Sequence, residues 1–255
     1  VLEAIILGIV QGITEFLPVS STAHLIVFPW FFNWGGSVDT LTFDVALHAG
    51  TLCALLLVFW KDWIDLFLRK QKLLGLIVLA TIPGGVAGYF LNDIAENSLR
   101  NPLLISLMLI AVGIVMLVAE KTLQKKGMEM IGFRDALLIG IAQALAIVPG
   151  VSRSGITISA GLFMGLKREE AARFSFLLST PLIGGATLLH FKKAFVGQAD
   201  HDLILFAAGL TASFITGFFA IKFLLGFLKR YPMNIFVYYR FVLSVVIIAG
   251  IWLKG

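Results

Sequence analysis

Residues 11–24 read QGITEFLPVSSTAH, and the fold turns on how they are read. They lie inside a strongly apolar run, yet they gather Gln11, Thr14, Glu15, Ser20, Ser21, Thr22 and His24 around a proline, Pro18. The helix before Pro18 is too short and too interrupted to cross a bilayer, which takes about 20 apolar residues. Pro18 ends it, and Ser20 or Ser21 can cap a second short helix running to about residue 32. Two short helices around a polar break make a re-entrant hairpin. Such backbone is tolerated at membrane depth only inside protein or along a wet cavity. Ionisable residues at that depth mark a functional site by default.

The rest of the chain supports a membrane setting. Of 255 residues, 59% are hydrophobic and only 14% charged, and the mean hydropathy is +0.96. A soluble domain carries about 25% charged residues. The net charge of +5 then reads as basic loops that set orientation, and no nucleic-acid partner is expected. The single cysteine, Cys53, excludes an internal disulfide and a cysteine metal cluster. Its apolar surroundings make it an expected core residue. The first apolar segment carries Glu3, Gln11 and Glu15, so it does not read as a cleavable signal peptide.

Spans are expected at about 43–60, 73–91 and 103–119, and again at about 169–190, 203–227 and 235–253. Between the two sets the opening pattern restarts. A short apolar helix from about 135 reaches Val148 and breaks at Pro149-Gly150, and a second short helix runs to about 165. GIVQGITEFLPVSSTAHL, from Gly8, aligns with GIAQALAIVPGVSRSGIT, from Gly140, with one residue of slippage at the proline. Gln11 then meets Gln143, Ser20 meets Ser152, and Ser21 meets Arg153. The expected fold is an all-α integral membrane protein, a single membrane domain of six transmembrane helices plus two re-entrant helical hairpins. It is built from repeats at about 1–120 and 133–255.

Three spans per repeat force the second copy to be inverted. Charge agrees. The loops holding Lys61–Lys72, Lys121–Arg134 and Lys229–Arg230 fall in the cytoplasm, and the loop with Asp93, Glu96 and Arg100 falls outside. Lys192 and Lys193, with Asp200 and Asp202, also fall outside, as do both termini. Inverted repeats with broken helices place a binding site near the midplane.

The two breaks carry complementary chemistry. Gln11 and Glu15 share one helix face, and Ser21 and His24 share a face of the next helix. Ser152, Arg153 and Ser154 open a helix after Pro149-Gly150. A helix start with free amides and a planar guanidinium suits a phosphate. Glu15 can hold a divalent cation, and His24 can act as nucleophile or general acid/base. Together these form a phosphoryl-transfer inventory. Each piece has a plainer reading. Glu15 can serve a proton relay or simply pair with Arg153, His24 can be a core histidine, and Arg153 can reach for an interface. Asp44 and His48 open the next span and are weaker site candidates. His190 and His201 read as span-end or loop residues, Gly84-Gly85 and Gly184-Gly185 as close-packing positions, and Trp60 and Trp63 as an interface belt.

The sequence resembles the undecaprenyl pyrophosphate phosphatase family, also associated with bacitracin resistance. Two motifs carry the resemblance: (Glu/Gln)-x-x-x-Glu followed by Phe-Leu-Pro-x-Ser-Ser-Thr-x-His, at Gln11 to His24, and Pro-Gly-x-Ser-Arg-Ser-Gly-x-Thr, at Pro149 to Thr157. The resemblance implies a hydrolase dependent on a divalent metal, Mg2+ or Ca2+. It would cleave undecaprenyl diphosphate to undecaprenyl phosphate and phosphate, recycling the lipid carrier of peptidoglycan and other envelope polymers. Glu15, Ser21, His24 and Arg153 would be catalytic. Ser20, Thr22, Gln143, Ser152, Ser154 and Thr157 would contact substrate, and Glu15 and Gln11 the metal. The choice among Ser21, His24 and water as nucleophile stays open. The implied setting is the bacterial plasma membrane, among membrane lipids, with the cavity facing outside and a homodimer left open. One residue departs from the pattern: Gln11 stands where some members carry Glu, which leaves a single carboxylate in that motif. The competing reading is a membrane transporter or flippase for a lipid-linked phosphate, since the architecture is shared with transporters.

Overall fold

The computed structural model describes residues 1–196 and 203–254. Asp200, His201 and Asp202 lie outside them, as do the side chains of Asp93, Glu96, His190, Lys192 and Lys193. In chain order the helices are α1 (Leu2–Phe16), α2 (Ser21–Phe32), α3 (Leu41–Val58), α4 (Trp60–Leu68), α5 (Gln71–Ser98) and α6 (Pro102–Glu120). Then come α7 (Phe133–Leu145), α8 (Arg153–Phe163), α9 (Arg168–Val196), α10 (Leu203–Leu228) and α11 (Asn234–Lys254). Among the described residues there is no strand beyond an isolated bridge between Lys126 and Leu166.

The protein is an all-α integral membrane protein. Helices α5, α6, α9, α10 and α11 are each long and apolar enough to cross a bilayer. Helix α3 joins them as a sixth when taken with α4, from which it bends by 65°. The basic stretch after the first expected span is therefore not only a loop. Its start, WKDWIDLFL, is the amphipathic helix α4, with Leu66 buried and Trp60, Ile64 and Phe67 exposed. Cys53, expected in the core, is exposed on the surface of α3. Apolar composition cannot separate a core-facing from a lipid-facing position, because both environments are apolar.

Of the two expected pairs, Gly84 packs closely, since a Cβ there would lie 3.0 Å from Gln143 Nε2 of α7, and the tightest contacts fall on other glycines. Gly85 and Gly185 face open space. A Cβ at Gly8 would lie 2.5 Å from the Gly209 carbonyl, and one at Gly12 would lie 2.6 Å from the Ser213 carbonyl, so α1 lies almost backbone to backbone on α10. At Gly140 the same addition would come within 2.5 Å of the Ala80 carbonyl, which presses α7 onto α5. The short helix of each hairpin thus leans on a full span of the other half. Helices α6 and α11 pack together, as do α3 and α9.

The end of the bundle that carries the basic loops is tied by ions. Glu120 pairs with Arg168 at 2.6 Å and accepts from the Met233 amide at 2.7 Å. Lys229 pairs with Glu169 at 3.0 Å, and Arg173 with Asp62. This network holds the far ends of α6, α9, α10 and α11 and leaves the opposite end to the cavity.

Candidate active site

Each half breaks its hairpin at a serine in the same unusual conformation. Ser20 has φ 76° and Ser152 has φ 69°, both left-handed. Each caps the helix that follows: Ser20 Oγ accepts from the Ala23 amide at 3.4 Å, and Ser152 Oγ accepts from the Gly155 amide at 3.2 Å. Holding a non-glycine residue there costs on the order of 1–3 kcal/mol and persists where the surroundings over-determine it. Gly150, at φ 93°, lets the second break approach α6, where a Cβ would meet the Ile105 carbonyl at 2.6 Å. The residues aligned from sequence therefore do the same local work.

The breaks meet at Glu15. Its Oε1 is paired with Arg153, which reaches across from the other half. Its Oε2 accepts from Ser21 Oγ at 2.6 Å and from Gln11 Nε2 at 3.0 Å, and lies 3.7 Å from His48 Nε2. Ser154 Oγ also crosses between halves, donating to the Leu17 carbonyl at 3.2 Å. That carbonyl also accepts from the Val19 amide at 2.7 Å, in the turn that follows α1.

A cavity of about 340 Å³ opens over this junction. Glu15, Ser21, His48, Gln143, Ser152 and Arg153 form its polar wall, and Ser20 and Thr22 also reach it. Gly84 and Gly88 of α5, with Leu182, Ile183 and Ala186 of α9, form an apolar wall. Asp44 of α3, Ala95 near the end of α5 and Arg100 between α5 and α6 also line it, and Arg100 pairs with Asp44 at 3.5 Å. Hydrogen-bonding capacity is left over. Both polar atoms of the Gln143 side chain and Nη1 of Arg153 are buried without a partner. Buried polar groups are normally paired, so these are groups waiting for a ligand or water.

Several candidates from sequence stand behind the wall. His24 is buried, with Nδ1 donating to the Ser20 carbonyl at 2.7 Å and Nε2 accepting from the Tyr239 hydroxyl at 2.7 Å. Its ring stacks on Tyr239, with centroids 5.7 Å apart. Thr157 donates to the Arg153 carbonyl at 2.7 Å and sits 2.6 Å from Ser175 Oγ, beneath the guanidinium-bearing turn. Gln11 is buried beside Glu15. Conversely, Asp44, His48 and Arg100 prove to be wall residues. Asp44 and His48 were weaker candidates, as polar residues opening a span, and Arg100 was read only as part of a loop. Nothing in the local sequence marked Tyr239.

The donors bear on the expected metal. Among the described residues no group of three or more His, Cys, Asp or Glu side chains is arranged to hold an ion. Glu15 has both oxygens engaged, while Gln11 keeps a buried amide oxygen without a partner. This set does not fit a resident protein cage. It fits a cation that takes most of its ligands from phosphate and water, as Mg2+ commonly does.

A protein-family model described as "Bacitracin resistance protein BacA" matches residues 4–246. An undecaprenyl-diphosphatase of Thermodesulfovibrio yellowstonii is 57% identical over 245 residues, covering 96% of this chain and 95% of that protein. The undecaprenyl-diphosphatase of Pelotomaculum thermopropionicum is 48% identical over 261 residues, covering 98% and 97%. That of Desulforudis audaxviator is 48% identical over 262 residues, covering 99% and 98%.

Proposed function

The chain belongs to the bacitracin resistance protein BacA family, and from that premise we infer that it hydrolyses undecaprenyl diphosphate to undecaprenyl phosphate and phosphate. The relatives' names favour this hydrolysis over the transport reading. The observation that carries it is the joining of Glu15, Ser21 and Arg153 from two separate breaks on one cavity wall.

The chemistry follows from that wall. The diphosphate enters against Ser152 and Arg153, where the free Nη1 and the first amides of α8 supply donors. The prenyl tail leaves along the apolar wall between α5 and α9, where Gly84 and Gly88 leave room. Ser21 Oγ, hydrogen-bonded to Glu15, loses its proton to that carboxylate and attacks the terminal phosphorus. The P–O bond to the inner phosphate breaks, and undecaprenyl phosphate departs with the electron pair. Arg153 stabilises the charge on the transferring group. Glu15 passes the Ser21 proton to the departing phosphate and, ionised again, takes one from a water that attacks the phosphoserine phosphorus; the Ser21 O–P bond breaks, phosphate leaves, and the proton on Glu15 returns to Ser21 Oγ. Gln143 donates to a phosphate oxygen, and Ser20, Thr22, Ser154 and Thr157 shape or support the two helix starts. His24 holds α2 against α11 through Tyr239. A divalent cation, Mg2+ or Ca2+, would arrive with the diphosphate and touch the protein through Glu15, whose carboxylate Gln11 holds from behind. Such an ion would lower the repulsion between phosphate and carboxylate.

The matching serine caps and the crossed pairings α1–α10 and α7–α5 support two inverted copies, about 1–120 and 133–255. Ala95 and Arg100 at the cavity mouth belong to the connection that the positive-inside rule puts outside, so the site opens outward from the bacterial plasma membrane. The test is phosphate release from undecaprenyl diphosphate by purified protein, with and without chelator. Metal-dependent release is the expected result. Ligand-driven flux without release would reverse the assignment.

A further inference from the structure

Helix α11 carries a fully buried arginine, Arg240. Its described hydrogen bonds all go to main-chain carbonyls. Nη1 donates to Pro18 at 3.3 Å, in the first break. Nη2 donates to Gly150 at 2.8 Å and Val151 at 3.2 Å, in the second break. Nε donates to Leu109 at 3.1 Å and Nη2 also to Met108 at 3.3 Å, both on α6. No ion pair with a described carboxylate offsets its charge. Burying such a guanidinium in a membrane protein is costly, and residues of this kind are kept for function.

We propose that Arg240 is a positioning residue for the phosphohydrolase reaction, whose one planar fork sets the distance between the two breaks. Pro18 follows Glu15 by three residues and precedes Ser21 by three, while Gly150 and Val151 lie immediately before Ser152 and Arg153. Fixing those carbonyls fixes the attacking side chain relative to the phosphate clamp. At this depth the carbonyls that a break leaves free must be met by protein or by a wet cavity, and here protein meets them. Ser154 and the Val19 amide share the one at Leu17, and Arg240 takes the next, at Pro18. Counted from the helix start, the matching place in α6 is Met108, whose carbonyl Arg240 itself reaches. The device therefore has no copy in the other half. One cation serves both breaks, and Tyr239, next to it, secures His24 behind the first.

The proposal rests on the phosphatase reading. The experiment measures kcat and KM for undecaprenyl diphosphate in wild type, Arg240→Lys and Arg240→Gln, with thermal unfolding of each in detergent. Lysine keeps the charge but offers no planar fork, and glutamine keeps one donor without charge. A misplacement of about 1 Å can cost about 10²-fold in rate, so kcat should fall about 10-fold in Arg240→Lys and about 10²-fold in Arg240→Gln. KM should stay within about threefold, because the phosphate contacts themselves remain. Wild-type kcat in either folded variant overturns the proposal, as does a loss confined to KM. Loss of kcat only in variants that no longer melt cooperatively assigns Arg240 to folding alone and also overturns it. Absence of phosphate release by the wild type overturns the phosphatase reading and this proposal with it. Release by the wild type with unaffected variants overturns this proposal alone.

Discussion

Ser20 and Ser152 hold the same left-handed backbone in the two halves, and each turns the chain so that the next side chain faces the cavity. In one half that side chain is Ser21, in the other Arg153. On the proposed mechanism, these matching turns carry the attacking group on one side and the clamp on the other. Ser21→Ala should lower turnover by about 10²–10⁴ and leave thermal unfolding unchanged, measured by phosphate release and melting in detergent. A phosphoenzyme trapped from the wild type should be acid-stable, as a phosphoserine is. An acid-labile adduct would point to a histidine instead. Arg153→Ala should cost about 10²–10³ in rate, read in the same assay, and wild-type-like turnover in a folded variant would contradict the clamp. Glu15, Ser21 and Arg153 were legible because polar groups at a break in an apolar run are costly, and a site is what keeps them there. His48 was only a weak candidate, because it sits in an unbroken helix and only packing turns it toward Glu15. Spacing did place His24 on the face of Ser21. It could not foresee Tyr239, which is 215 residues away and takes the second ring nitrogen.

At the scale of elements, the short helices α1 and α7 cannot cross a membrane alone, and each is held by glycine contact with a span from the other half. Gly12→Leu should drive side-chain atoms into the α10 backbone. Overpacking of this kind costs about 1–3 kcal/mol or more, so the yield of folded, monodisperse protein should drop sharply. Gly85→Ala, into open space on α5, should be tolerated or slightly stabilising by melting, since alanine is favoured over glycine in helices by about 1 kcal/mol. Pro18 and Pro149-Gly150 were readable as breaks because polar residues follow each of them. Pro83 and Pro181, inside apolar runs, leave α5 and α9 continuous. Helix α4 is hard to see in the sequence because its nine residues directly continue the apolar run of α3 and lead into a basic stretch, with no proline or glycine to mark the bend.

For the whole molecule, the ion-paired end and the cavity end lie at opposite ends of α6, 19 residues long and so about 28 Å. With Cys53→Ser as background, Ser98→Cys should react with a membrane-impermeant maleimide on intact cells, and Lys125→Cys only after lysis. The opposite pattern would turn the cavity mouth toward the cytoplasm.

What the sequence determined by itself was local or additive. Hydropathy sets the spans, and proline and serine set the breaks, each through interactions within a few residues or with the solvent. The doubled motif announced a site made of two parts. Tertiary structure alone decided which groups face the cavity and which face protein. It put His48 on the wall and His24 behind it, left Cys53 exposed, and ran Arg240 through the bundle to both breaks. Those outcomes depend on contacts between residues far apart in the chain. In a membrane protein the surroundings of a buried and a lipid-facing side chain are equally apolar, so composition carries no trace of them.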